Sequence, residues 1–137
     1  MSSKVVVIDT NVVFKALRLK YSSIREVLSQ EDIVFYAPKF LIVEVFKHKE
    51  KILKNNQQLE DEFYEYLNLL LNRITFINED FVSIGSYLEA YRLCKEIDEK
   101  DVPFVALTIE LDCELWTFDT PIIKGLTALG FTKFFEF

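Results

Sequence analysis

The sequence predicts a single α/β domain over residues 1–137, in which helices form layers on both sides of a central, mainly parallel sheet of four to five strands. Val5–Ile8 is a continuous, β-branched apolar run, which is typical of a strand buried on both faces of a parallel sheet. Short apolar runs of this kind alternate with longer segments of helical periodicity, as in α/β folds. With 137 residues, 50% of them apolar and 28% charged, the chain can bury a core without disulfides or structural metal.

The first third of the chain begins with this strand. Asn11–Leu19 and Ser22–Leu28 have helical spacing, and Ser22 or Ser23 can supply the N-cap of the second helix. Ile33–Tyr36 is predicted as the second strand. A long helix is then predicted from Pro38 to about Asn55, because a proline in the first turn removes no helical hydrogen bond.

The middle of the chain is predicted to be mainly helical. Gln58–Asn72 has apolar residues three to four positions apart, and Thr75–Ile77 is a short third strand. Asp80 is predicted to cap a helix that runs to about Ile97, and Asp101 to open another that runs through Glu110.

The last third of the chain contains the fourth strand, predicted at Leu115–Phe118. Thr120 and Pro121 start a last helix, which is predicted to stop near Gly130. Phe131–Phe137 is predicted to add a final strand at the edge of the sheet.

Charge is unevenly distributed along the chain. The net charge of −6 argues against a nucleic-acid partner, because phosphate contacts dominate that kind of affinity. However, residues 1–57 contain ten Lys and Arg against six Asp and Glu, whereas residues 58–137 contain six against sixteen. Five lysines of the basic half lie close together in sequence: Lys39, Lys47, Lys49, Lys51 and Lys54. The simpler explanation of this cluster is a solvated helix face, and the cluster indicates a nucleic-acid partner only if it lies beside a catalytic site.

Two features predict a cytoplasmic protein that does not associate with a membrane. No apolar run reaches the roughly 20 residues that cross a bilayer, and the apolar stretch in MSSKVVVID is too short for a signal peptide. Cys94 and Cys113 lack the paired spacing of a zinc site or a redox dithiol, so we expect reduced cysteines in the core.

Two carboxylates follow predicted strands directly. Asp9 comes after Val-Val-Val-Ile, and Asp119 comes after Leu-Trp-Thr-Phe. In open parallel sheets, ligands bind outside the carboxyl ends of the strands, which favours a functional site at these residues. Aspartate is also a common helix N-cap, and capping is an equally good explanation of either residue by itself.

Two further acids stand in unusual surroundings. Glu44 lies within the apolar stretch FLIVEVF, where a carboxylate needs a partner. It can pair with Lys47 or Lys51 on the same helix, or turn toward a cation. Asp101 precedes Val-Pro-Phe-Val-Ala-Leu and can act as an N-cap, and Asp98, one turn upstream, is its rival for either role.

Taken together, these acids predict a carboxylate cluster. Carboxylates that lie close together raise one another's pKa, and a divalent cation relieves the repulsion. Oxygen ligands without a nearby His or Cys pattern favour Mg²⁺ or Mn²⁺ over zinc or copper.

Four segments resemble, in order and across nearly the whole chain, the four motif regions of PIN domains: Val-Val-Ile-Asp9-Thr10-Asn11, the lone Glu44, Asp101-Val-Pro-Phe-Val-Ala-Leu and Leu-Trp-Thr117-Phe-Asp119-Thr-Pro. The resemblance implies a three-layer α/β/α fold and Mg²⁺- or Mn²⁺-dependent cleavage of RNA. Among small stand-alone members it implies the toxin of a toxin–antitoxin pair. The resemblance implies that four acids are catalytic and bind the metal: Asp9, Glu44, Asp101 (with Asp98 as rival) and Asp119. It implies that Asn11 and Thr117 are polar supports.

The chain departs from the PIN pattern at one turn. Between the last buried helix and the fourth strand the family often has glycine, where this chain has Asp112 and Cys113. Aspartate tolerates the left-handed conformation better than most residues, so we expect the turn to be retained.

Together with this resemblance, the acidic residues predict a metal-dependent endoribonuclease. The acids hold one or two metal ions that activate a water molecule for in-line attack on a phosphodiester. Arg18, Lys47 and Lys51 are the candidate ligands of flanking phosphates, with Tyr or Phe side chains stacking on unpaired bases. His48 is expected at the surface rather than as a base. The thirteen Phe residues fit a core, a homodimer interface or a surface for an antitoxin protein equally well.

Two other functions use the same features. A non-catalytic RNA- or protein-binding module can share the fold and keep the acids as helix caps. A phosphatase or phosphotransfer receiver also has acids at strand ends, but the chain has Asp9-Thr10-Asn11 where an Asp-x-Asp pair is needed.

Overall fold

The computed structural model of the protein describes residues 3–19, 22–54 and 60–137. These residues form four strands, seven α-helices and two 3₁₀ turns, at Glu79–Phe81 and Glu99–Asp101. The strands are β1 (Lys4–Ile8), β2 (Ile33–Pro38), β3 (Ile74–Ile77) and β4 (Glu114–Trp116). The helices are α1 (Thr10–Arg18), α2 (Ser23–Leu28), α3 (Phe40–Lys54), α4 (Glu60–Arg73), α5 (Ile84–Cys94), α6 (Val102–Leu111) and α7 (Thr120–Ala128).

The four strands form one parallel sheet in the order β3-β2-β1-β4. The chain moves outward from β1 through β2 to β3 and then returns to the other side of β1 with β4. The strand order therefore reverses between β1 and β4, and in doubly wound sheets such a reversal opens a crevice at the carboxyl ends of the strands. Val7 pairs with Tyr36 of β2 on one side and with Leu115 of β4 on the other, so β1 is central.

Helices cover both faces of the sheet, as the sequence predicted. Val6, Val7 and Ile8 are completely buried, which requires packing on both sides of β1 because consecutive side chains of a strand point to opposite faces. One layer contains α5 and α6, with α6 packed on β1, β2 and β4. In the other layer α1 contacts α2, α3 and α4. The mainly parallel α/β/α fold is thus confirmed, with four strands.

The final edge strand predicted at Phe131–Phe137 is wrong. This segment makes a single isolated bridge to β4, between Phe134 and Leu115. Backbone pairing stops there, and the aromatic side chains pack instead: the Phe135 and Phe137 rings lie 5.2 and 5.3 Å from the Trp116 ring. Packing of these rings on Trp116, with Phe135 buried and Phe137 exposed, holds the segment at the sheet edge in place of strand pairing.

Several helix starts differ from the predicted ones. Pro38 ends β2 instead of opening α3, which begins at Phe40. Asp80 is not the cap of α5: Ser83 caps that helix by accepting a hydrogen bond from the Ser86 N–H, and the helix ends at Cys94. The predicted N-cap at Ser22 is confirmed, because its hydroxyl accepts from the Arg25 N–H. The predicted boundaries at Asn55 and Gln58 lie outside the described residues.

Asp112 takes the left-handed conformation expected of it. Its φ of 49° and ψ of 55° end α6, where its N–H bonds to the Ile109 carbonyl. Cys94 and Cys113 are buried free thiols, as predicted. Within the described ranges, no helix is long and apolar enough to cross a membrane.

Candidate metal centre

Asp9 lies at the point where the strand order reverses. It follows the last residue of β1, and its N–H continues the β1–β4 ladder by donating to the Trp116 carbonyl at 2.9 Å. Its side chain caps α1, with Oδ1 accepting from the Thr10 N–H at 2.7 Å. The sheet and the helix together fix this carboxylate, which is only 7% exposed.

Asn11 and Thr117 hold the second oxygen of Asp9. Oδ2 accepts from the Thr117 hydroxyl at 2.7 Å and from the Asn11 amide at 3.1 Å. The same amide also donates to Thr117 Oγ1, while Asn11 Oδ1 accepts from the Phe118 N–H. Asn11 therefore joins the start of α1 to the end of β4, and both predicted supports contact Asp9.

Asp119 lies beside Asp9 at the start of α7. Its Oδ1 accepts from the Ile122 N–H at 3.2 Å, and its own N–H donates to Thr117 Oγ1 at 3.1 Å. Pro121 occupies the first turn of the helix, where it needs no hydrogen-bond partner. Asp9 and Asp119 are thus both helix caps, and both also face the crevice between β1 and β4.

Glu44 reaches the same region from α3. Its Oε1 accepts a hydrogen bond of 2.6 Å from the hydroxyl of Thr10, which is 4% exposed. The ion pairs among the described residues do not include one between Glu44 and Lys47 or Lys51. Glu44 is therefore held toward Asp9 through its neighbour Thr10. Sequence reasoning missed Thr10; its signal was a hydroxyl directly after a strand-end aspartate.

Asp98 and Asp101 differ in the way each carboxylate is used. Asp98 is exposed, and its Oδ1 caps a 3₁₀ turn by accepting from the Lys100 N–H. Asp101 makes no side-chain capping hydrogen bond to α6, so the predicted capping role is wrong for it. Its Oδ2 is buried and has no hydrogen-bond partner among the described residues. The chain satisfies Asp98 locally and leaves Asp101 unsatisfied.

The electrostatics join the four acids into one group. Burial, followed by the charges of Asp9, Asp98, Asp119 and Glu44, raises the pKa of Asp101 to about 8. Burial also raises the pKa of Asp9 to about 6; the Thr117 and Thr10 hydrogen bonds oppose this increase, and the charges of Glu44 and Asp119 add to it. Each of these acids lies close enough to another for its charge to be felt.

This donor set fits a hard divalent cation in its chemistry. All four candidate ligands are carboxylates, and Asp101 Oδ2 is a buried acceptor that needs a positive partner. Among the described residues, no three Asp, Glu, His or Cys side chains already have the spacing of a formed metal site. Coordination by several of the acids would therefore require side-chain adjustment.

Two of the three predicted phosphate ligands lie about two helical turns beyond the residues of the acidic cluster. Arg18 and Lys51 line a cavity of about 230 Å³ between α1 and α3, together with Phe14, His48 and Ile52. Lys47 is exposed and is not among the residues that line it. His48 is exposed, as expected, and its ring packs edge-on against Phe14 at 5.8 Å.

The fold and the acidic cluster can be compared with those of known proteins. A chain of VapBC2 from Rickettsia felis, in a crystal structure bound to a DNA fragment from their promoter, matches with a TM-score of 0.63 and 15% identity over 88% of this chain and 92% of that chain. At this identity the similarity shows the fold alone. No curated protein matches the chain. The profile of the PIN domain family matches residues 7–133. Because that match spans most of the sequence, the chain belongs to the PIN domain family.

Proposed function

We propose that the chain is a Mg²⁺- or Mn²⁺-dependent endoribonuclease whose metal is held by Asp9, Glu44, Asp101 and Asp119. The main support is Asp101 Oδ2, a buried carboxylate oxygen without a partner among the described residues. Burial and then the charges of the neighbouring acids raise the pKa of this side chain. Such a group is costly unless a cation binds it. Membership of the PIN domain family adds support, because these domains are in general nucleases.

In this proposal each side chain of the cluster has a separate task. The four carboxylates would hold one or two divalent ions, and a bound ion would supply an activated water for in-line attack on the phosphodiester and would neutralise charge at the leaving oxygen. Thr117 and Asn11 orient Asp9 through its Oδ2, as the neighbours of metal ligands commonly do. Thr10 holds Glu44 toward the same crevice. No side chain of the chain acts as a nucleophile.

We further propose that the protein is the toxin of a toxin–antitoxin pair. The support is its fold, which matches a chain of the promoter-bound VapBC2 assembly. The corresponding partner is an antitoxin protein that binds the chain, and the pair binds promoter DNA. Coexpression with the product of an adjacent gene should restore growth that the chain alone inhibits, and the two should co-purify. Growth inhibition that no adjacent gene relieves would contradict the pairing.

The nuclease is tested by cleavage of a mixed single-stranded and structured RNA pool with Mn²⁺, Mg²⁺ or EDTA. We expect metal-dependent cleavage that falls at least about 100-fold in Asp9→Asn and Asp101→Asn, because loss of a ligand weakens metal binding strongly. Asp98→Asn is the matched control: it removes a nearby, exposed carboxylate and should retain cleavage within about threefold.

Two results would contradict this assignment. Folded protein that binds Mn²⁺ but cleaves nothing would favour the non-catalytic binding module. Loss of cleavage in Asp98→Asn with full activity in Asp101→Asn would exchange the roles of the two residues.

A further inference from the structure

α1 and α3 pack side by side, and their facing residues come together at three successive positions, which we call steps and count from the acidic cluster. The first step is the hydrogen bond between Thr10 and Glu44 at the acidic cluster. The second is the edge-on packing of Phe14 and His48, whose ring centroids are 5.8 Å apart. The third is a basic end, where Arg18 and Lys51 line the cavity of about 230 Å³. We call this surface the α1/α3 groove; it is formed by Phe14, Arg18, Glu44, His48 and Lys51, and the buried Thr10 holds Glu44 at its acidic end.

The sequence spacing explains why the three steps are aligned. Positions 10, 14 and 18 on α1 and positions 44, 48 and 51 on α3 recur every three or four residues, which places each set on one helix face. At about 1.5 Å of rise per residue, Thr10 and Arg18 are separated by about 12 Å along α1. This length matches about three stacked nucleotides at a rise of about 3.4 Å each.

The charge along the groove changes from negative at the acidic cluster to positive at the far end. Arg18 and Lys51 lie in the last turns of their helices, where a cation is favourable beside the helix dipole. Both are exposed, and neither forms an ion pair with another described residue. The two cations lie seven to eight residues, or about 10 to 12 Å of helix, beyond Thr10 and Glu44. In a chain of net charge −6, two exposed cations at this end of the groove favour an anion locally.

We propose that the α1/α3 groove is the track along which single-stranded RNA leaves the metal centre. Arg18 and Lys51 bind a phosphate about three nucleotides from the cleaved bond, and the Phe14–His48 pair offers ring surface to an intervening base. The inference rests on the proposed nuclease, whose acids define the starting point of the track. A phosphodiester chain fits better than a protein segment, because the groove provides cations and rings at the spacing of nucleotides.

The test compares Arg18→Ala/Lys51→Ala with the charge-matched control Lys4→Ala/Lys133→Ala. The control lysines lie near the amino ends of β1 and β4, whereas the acids lie beyond the carboxyl ends of these strands. Lys4 pairs with Glu114 and Lys133 with Asp112 on the surface. Cleavage is measured on a single-stranded RNA of about ten nucleotides and on a dinucleotide that is too short to reach the third step. Binding of the longer RNA is measured by fluorescence anisotropy in EDTA.

We expect the groove variant to raise the KM of the longer RNA about tenfold and to leave dinucleotide cleavage unchanged. The slope of log Kd against log salt concentration should become shallower by about 0.7, as expected for one lost phosphate contact on a single strand. The control variant should behave as the wild type.

An unchanged KM and salt slope in the groove variant, with active wild-type enzyme, would overturn the track and leave the nuclease standing. An equal loss in the control variant, or on the dinucleotide, would overturn it as well. If the wild type cleaves no RNA, the binding arm decides separately: affinity lost only in the groove variant supports the track while the nuclease fails, and unchanged affinity overturns both.

Discussion

Replacing Asp9 with asparagine should stabilise the metal-free protein at pH 8 while it abolishes cleavage. Asp9 is 7% exposed, and burial is the main reason that its pKa is raised from 3.8 to about 6. One pKa unit corresponds to about 1.36 kcal/mol, so ionised Asp9 costs the folded state about 3 kcal/mol relative to the protonated form. Asparagine has nearly the same shape and carries no charge.

The direction of the Asp9 pKa shift determines how the stability gain of Asp9→Asn depends on pH. Because the pKa of Asp9 is higher in the folded than in the unfolded state, its contribution to stability is fully present below about pH 4 and is lost as the pH rises to about 6. The advantage of asparagine is therefore near zero at about pH 4 and complete above about pH 6. If the asparagine oxygen keeps the hydrogen bond from the Thr10 N–H, its NH₂ group takes the place of Oδ2 and cannot accept the hydrogen bond that Thr117 donates, which costs about 1 to 2 kcal/mol. We expect a net gain of about 1 to 2 kcal/mol at pH 8, or about 4 to 8 °C in Tm.

The assay is thermal and urea unfolding in EDTA at about pH 4.5 and pH 8. Asp98→Asn serves as the matched control, because asparagine keeps an equivalent capping oxygen at this exposed position and should stabilise the protein less than Asp9→Asn does at pH 8. An Asp9→Asn variant that is less stable than the wild type at pH 8 would refute the reasoning. In that case the stabilisation from the hydrogen bonds to Asp9 would exceed the free-energy cost of burying its charge, and the residue would be a structural cap.

Three further predictions follow from the same contacts. Mn²⁺ or Mg²⁺ should raise the Tm more at pH 8 than at pH 5, because protons compete with the metal for Asp9 and Asp101, whose pKa values are raised to about 6 and about 8; equal shifts in differential scanning fluorimetry would contradict this. Thr117→Val should lower kcat/KM for RNA at least about tenfold and move the acidic limb of its pH profile to higher pH, because the hydrogen bond that this variant loses holds the pKa of Asp9 down. Thr117→Ser should keep the wild-type rate and pH profile, and an equal loss in the two variants would assign the effect to packing. Leu41→Ala, at a completely buried position, should cost about 2 to 5 kcal/mol in urea unfolding, whereas Leu69→Ala, at a 57% exposed position, should cost less than about 0.5 kcal/mol; similar losses would contradict the described core.

The strand assignments show where local sequence is sufficient. The run Val5–Ile8 is apolar at every position, and only a strand covered on both faces needs such a run. The structure makes β1 and β4 neighbours, so Asp9 and Asp119, which follow these strands in the sequence, lie beyond adjacent strand ends. The Phe131–Phe137 segment shows the limit: its composition suits a strand, but packing of its rings on Trp116 replaces the ladder.

The sequence by itself determined the α/β class, the parallel strands and the types of residue at the candidate site, because these depend on patterns within about ten neighbouring residues. Only the tertiary structure distinguished Asp98 from Asp101, since both have the sequence of a cap and only burial leaves Asp101 Oδ2 without a partner. The Thr10–Glu44 hydrogen bond was likewise decided in three dimensions, because it joins residues 34 positions apart. Capping is a local interaction that a motif can specify, whereas desolvation and charge coupling depend on which distant elements pack together.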